Sequence, residues 1–93
     1  GIVMPNRLEI ETVVSAPFDE NSYVVHREGD PRCLVVDPGF EPELIQEVIE
    51  RRKLELEVIL LTHGHVDHIA GCDWMKRRYP RVPQMIGAGD ARM

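Results

Sequence analysis

Cysteine is scarce. Two thiols, Cys33 and Cys72, in 93 residues cannot build the disulfide framework of a small secreted domain, so a reducing, cytoplasmic setting is expected. No apolar run approaches the roughly 20 residues of a membrane span, and the N-terminus lacks a secretory-signal pattern. A basic excess is missing too. Eleven Lys and Arg against 16 Asp and Glu leave a net charge of −5, which argues against a nucleic-acid footprint. Gly87 and Gly89 are not followed by the Lys-Ser/Thr of a phosphate loop. There is no internal repeat and no low-complexity segment. What remains, 43% hydrophobic and 29% charged, describes one small soluble domain with a modest core.

The chain divides into short elements. Apolar/polar alternation over Leu8–Val14 predicts a strand with one wet face. After a turn-like stretch, Ser22–Arg27 and Arg32–Val36 read as strands joined as a hairpin across Glu28-Gly29-Asp30-Pro31. His26, near a strand end, reads as a surface residue, and Cys33 as a small buried hydrophobe. Asp37-Pro38-Gly39 stops the third strand. Pro42 suits the first position of a helix running to about Lys53, with Leu44, Ile45, Val48 and Ile49 on one face and a Glu47–Arg51 pair on the other. Leu56–Leu61 is a buried strand, and strand–helix–strand order makes a right-handed βαβ unit with parallel strands. A second helix from Ile69 to about Tyr79 carries Ile69, Cys72, Met75 and Tyr79 near one core-facing stripe, with Trp74 off it. A short strand over Val82–Ile86 follows. The basic triplets Arg51-Arg52-Lys53 and Lys76-Arg77-Arg78 close the two helices, where cations complement the helix dipole.

Three of the four histidines and one carboxylate fall within six residues, in Thr62-His63-Gly64-His65-Val66-Asp67-His68, directly after Val58-Ile59-Leu60-Leu61. Imidazole and carboxylate are the usual ligands of a borderline divalent ion such as zinc. On an extended segment His63 and His65 point to one side, whereas adjacent Asp67 and His68 require the backbone to turn. The spacing therefore offers two ligand pairs, which suggests two metals. A divalent ion so held makes water a nucleophile at neutral pH, the chemistry of hydrolysis. Asp37 and His63 each follow the carboxyl end of a parallel strand, so both belong at the sheet edge where ligand sites collect. Cys72, four residues after His68, shares a helix face with it but reads as core rather than as a ligand.

These motifs resemble the metallo-β-lactamase superfamily: Asn21-Ser22-Tyr23-Val24-Val25, Val35-Val36-Asp37-Pro38-Gly39 and, most specifically, Leu61-Thr62-His63-Gly64-His65-Val66-Asp67-His68-Ile69-Ala70-Gly71. The DPG motif makes the chain look most like the hydroxyacylglutathione hydrolase (glyoxalase II) branch. The resemblance implies an α/β fold, namely the N-terminal half of an αββα sandwich, with residues 1–93 one portion of a single domain. It implies that His63 and His65 bind a first metal and Asp67 and His68 a second, two zinc ions in the first instance, with iron or manganese as alternatives. Asp67 is also the candidate catalytic residue, and Asp37 looks like the acidic residue that braces the ligands. Ala70 stands where many relatives carry Gly.

The family's fold is expected to be about twice this length, with its remaining ligands, a third His, a bridging acid and a final His, in the second half. The leading expectation is a metal-dependent hydrolase using metal-bound hydroxide on a small-molecule thioester or related ester. A mononuclear-iron persulfide dioxygenase and an RNA-processing nuclease share the motif, the nuclease disfavoured by the acidic charge. From a different class comes a non-catalytic half-domain that self-associates through an exposed sheet face. Neither nucleic acid nor membrane is an expected partner.

Overall fold

The computed structural model describes residues 7–17, 19–62 and 69–86, and of residues 69 and 70 only the backbone. Strands β1 (Leu8–Ser15), β2 (Glu20–Arg27) and β3 (Arg32–Val36) form an antiparallel meander. The β2–β3 turn uses Gly29 at φ 81, a value that an L side chain resists. Asp30 completes it. Its carboxylate accepts from the Arg32 backbone N–H at 2.9 Å and from the Arg32 guanidinium at 3.1 and 2.9 Å. Those bonds hold the Asp30 carboxyl at about 2, below its ordinary 3.8.

Helix α1 (Pro42–Arg51) and strand β4 (Glu55–Leu61) follow, and β4 pairs in parallel with β3, as the strand–helix–strand order requires. Pro42 occupies the first turn, where its missing N–H costs nothing. The helix ends in a Schellman arrangement: Leu54 N–H donates to the Ile49 carbonyl at 2.8 Å and Lys53 N–H to the Glu50 carbonyl at 3.1 Å. Lys53 takes the left-handed position, φ 56, that glycine usually fills. The helix is two residues shorter than its apolar pattern suggested because this turn closes it at Arg51. Helix α2 (Ile69–Arg78) and the three-residue strand β5 (Gln84–Ile86) complete the order. Pro83 precedes β5 and contributes its carbonyl, which accepts from Ile59 N–H at 3.0 Å, so the strand begins later than the apolar run from Val82.

The sheet order is β1-β2-β3-β4-β5, antiparallel on one side of β3 and parallel on the other. One face is covered. Val13, Val24, Cys33, Val35 and Ile59 from the strands meet Ile45, Val48 and Ile49 of α1 and Met75 of α2. At about 25 cal/mol per Å² of apolar surface, each such fully buried side chain is worth about 1.5–3 kcal/mol. Leu44, Trp74 and Tyr79 pack partly buried against this core. Trp74 is therefore a core neighbour despite lying off the helical stripe, because α2 is broad-faced against both sheet and α1. Cys33 is core as expected, and burial pushes its thiol up to about 11.

Two expectations change. His26 is half-buried rather than superficial: it shares strand parity with Ser22 and Val24, so it faces the helices, and its Nε2 is buried without a hydrogen-bond partner among the described residues. In α1, the ion pairing involves Glu50 rather than Glu47. Glu50 accepts from Gln46 at 3.1 Å and lies 3.4 Å from Arg78 of α2.

The alternation in β1 also has an unexpected phase. Leu8, Ile10 and Val14 lie on the uncovered face, each half or more exposed, while Glu11 lies on the helix side and pairs with Arg52 at 2.5 Å. The register extends this bare face across the sheet, through Ile10–Val25–Leu34–Val58 and through Thr12–Tyr23–Val36–Leu60–Met85.

Candidate functional site

The carboxyl edge of the parallel strands carries the unusual backbone. Asp37 directly follows β3 and is held at φ 54, a left-handed conformation that a non-glycine residue keeps only when its surroundings dictate it. Three contacts do so. Asp37 N–H donates to the Leu60 carbonyl at 2.9 Å, extending the β3–β4 ladder by one bond. The buried Ser22 hydroxyl, from β2, donates to the Asp37 carbonyl oxygen at 2.6 Å. The Asp37 carboxylate then accepts twice from Thr62, from its backbone N–H at 2.8 Å on Oδ1 and from its hydroxyl on Oδ2. Asp37 is 7% exposed, so these bonds form where an unmade one would be costly.

Pro38 and Gly39, also buried, complete a small loop on which the next helix rests. A Cβ at Gly71, in the first turn of α2, would overlap the Gly39 carbonyl oxygen, so only glycine permits this approach. A Cβ at Gly39 would come 2.8 Å from the Ser15 hydroxyl, so the opposite side of the loop is also closely packed, though against a side chain rather than backbone. The neighbouring β1–β2 turn is anchored too, with Ala16 N–H donating to the Glu41 carboxylate at 2.6 Å. Helix α2 is further fixed by Gln84, whose amide donates to the Cys72 carbonyl at 2.8 Å. The Cys72 thiol is raised above its ordinary value, first by burial and then by the negative charge of Asp37, which leaves it protonated and a poor ligand or nucleophile at neutral pH.

Both ends of the histidine-rich segment are therefore tied to one three-residue platform. Thr62 hangs from the Asp37 side chain, and Gly71 sits against Gly39. The expected proximity of Asp37 to the segment's start is met, with both oxygens of its carboxylate accepting from Thr62. His63, His65, Asp67 and His68 themselves lie outside the described residues. Among the described residues no cluster of three His, Cys, Asp or Glu could hold a metal. The donor set fits a divalent ion by its chemistry, since three imidazoles and a carboxylate are borderline-to-hard ligands on a segment fixed at both flanks. Sequence reasoning assigned no individual role to Ser22, Thr62, Gly39 and Gly71, which form the platform; the available signal was a small residue inside each motif.

Comparison with known proteins agrees with this architecture. The family description "Metallo-beta-lactamase superfamily" matches residues 16–91. Hydroxyacylglutathione hydrolase of Vibrio campbellii is 39% identical over 75 residues, 81% of this chain and 29% of the relative. The enzyme of the same name from Klebsiella pneumoniae is 33% identical over 92 residues, 84% of this chain and 36% of the relative. Among solved structures, the BLEG-1 B3 metallo-beta-lactamase superposes with a TM-score of 0.72 at 29% identity, over 82% of this chain and 35% of that one. ETHE1 from Myxococcus xanthus shares the fold, with a TM-score of 0.68 at 17% identity, over 81% of this chain and 34% of that one. The chain thus spans about a third of the length of these relatives. A mixed sheet whose carboxyl edge ties down an H-x-H-x-D-H segment, matched over most of its length by the family's description, places this chain in the metallo-beta-lactamase superfamily.

Proposed function

We propose that this chain is the metal-ligating portion of a metal-dependent hydrolase acting on a small-molecule thioester or related ester. The observation that carries the reading is the platform: a buried Asp37 and two closely packed glycines fix both flanks of the one segment rich in metal donors. The name borne by the curated relatives, hydroxyacylglutathione hydrolase, supplies the thioester class.

In this reading His63 and His65 would hold one divalent ion and Asp67 and His68 a second, two zinc ions being expected. When bound, such ions supply a Lewis acid for the carbonyl and a nucleophile from water at neutral pH. The chain's own residues provide order. Thr62 fixes where the segment leaves β4, Gly71 fixes where it enters α2, and Asp37 holds Thr62 with a carboxylate that takes no part in the reaction. Asp67 is the segment's one carboxylate and the proposed catalytic group as well as a ligand. A cytoplasmic setting and the absence of nucleic-acid or membrane partners belong to the same proposal. No described helix is long and apolar enough to cross a membrane.

The protein at its natural length should contain two zinc ions per chain and hydrolyse an acyl-glutathione thioester, and His65→Ala should abolish turnover and lower the metal content. Wild-type turnover in His65→Ala would overturn the hydrolase reading. One redox-active iron in place of two zinc ions would favour persulfide oxygenation instead.

A second reading draws on the bare sheet face, where Leu8, Ile10, Val14 and Met85 are each half or more exposed. As an independent 93-residue protein the chain would be a non-catalytic half-domain pairing through that face. Sedimentation of the 93-residue chain separates the two readings: a stable dimer without hydrolysis supports the half-domain, and an active monomer removes it.

A further inference from the structure

We propose that Ser22 is a positioning residue for the histidine-rich segment, acting through the backbone of Asp37; the proposal rests on the metal reading above. Ser22 lies two residues from Val24 on the covered face of β2, fully buried among apolar neighbours, a position that packing alone would fill with valine or alanine. Its hydroxyl is instead spent on the Asp37 carbonyl at 2.6 Å. That carbonyl belongs to a residue at φ 54, and rotating the peptide out of this conformation would swing the carboxylate away from Thr62. The bond thus links the second strand to the end of the fourth: Ser22 to the Asp37 backbone, Asp37 side chain to Thr62, Thr62 to His63 in the chain.

Position favours this role over simple satisfaction of a buried hydroxyl. Ser15, the other fully buried serine on the same face, has a hydroxyl without a hydrogen-bond partner among the described residues, although a Cβ on Gly39 would lie 2.8 Å from it. The fold therefore tolerates one unspent hydroxyl beside the platform, while directing the second onto the one left-handed residue that holds Thr62.

Amide hydrogen exchange in the metal-free protein at its natural length tests the relay without any metal. Thr62 N–H, bonded to Asp37, is the reporter, and Ile59 N–H, in the adjoining strand β4 and bonded to the Pro83 carbonyl, is the internal control. In Ser22→Ala, Thr62 exchange should accelerate about tenfold while Ile59 stays within twofold. Equal acceleration at both amides would mean general destabilisation, and no change at either would mean that Ser22 does not hold Asp37. Either result overturns the proposal. Zinc titration adds a second readout. Ser22→Ala should bind zinc about tenfold more weakly, in the range seen when groups behind metal ligands are removed. Val24→Ala, which loosens the same strand without touching the platform, should bind zinc as the wild type does. If Ser22→Ala loosens Thr62 but keeps wild-type zinc affinity, the positioning role is wrong. If the wild type binds no zinc at all, the metal reading fails, and the exchange result alone then decides whether Ser22 holds Asp37.

Discussion

The two edges of the sheet are held together by different means. At the carboxyl edge the polar contacts of the platform are buried or partly buried and join residues distant in sequence: Ser22 to Asp37 and Asp37 to Thr62. At the opposite edge, and along the helices leading to it, they are exposed and mostly local: Asp30 with Arg32, Gln46 with Glu50, Asp73 with Arg77. Exposed local pairs contribute a few tenths of a kcal/mol and can be exchanged freely. A buried network costs far more to break, because a lost partner strands a desolvated donor or acceptor. The protein thus places its costly polar contacts where the histidine-rich segment begins, and leaves the other edge to solvent.

Substitutions should reproduce that contrast. Asp37→Ala removes the part-buried acceptor of two Thr62 donors, and should destabilise the fold by about 3 kcal/mol, seen as a lower urea midpoint. A loss below about 0.5 kcal/mol would erase the distinction between the edges. Gly71→Ala drives a methyl group into the Gly39 carbonyl and should cost about 2 kcal/mol by the same measurement. At the other edge, Lys53→Gly relieves a left-handed residue in the turn after α1 and should stabilise by about 1 kcal/mol. Arg77→Ala, which breaks an exposed pair within α2, should change stability by under about 0.5 kcal/mol.

The acid limb offers a further comparison. The folded Asp30 carboxyl titrates at about 2 rather than 3.8, so its stabilising share is present above 3.8 and is lost as pH falls toward 2. Asp30→Asn should therefore match the wild type at pH 2 and fall slightly below it at pH 5, in unfolding curves taken at both values. A larger deficit at pH 2 than at pH 5 would contradict the assignment.

Much of this was legible in the sequence. The βαβ unit followed from a Pro-started amphipathic helix between two apolar runs, and it alone predicted that Asp37 and the segment after β4 share an edge. The phase of β1 was not legible, because alternation reveals two faces without saying which one helices will cover. His26 was misplaced for a related reason: its parity with Ser22 and Val24 carried the answer, but its closeness to a turn suggested exposure. The platform was the least visible. A serine in a strand, a threonine before a histidine and two glycines have no periodic signature. Their meaning is a close approach between segments 15 or more residues apart, which only the folded chain brings together.

Zinc binding to the protein at its natural length, wild type against Asp37→Ala, tests the central claim most directly. Alanine removes both carboxylate acceptors of Thr62, so the grip on Thr62 is lost. The account predicts a zinc affinity 10- to 100-fold weaker with the helix and sheet content of the wild type retained. Equal zinc affinity in the two proteins would contradict it.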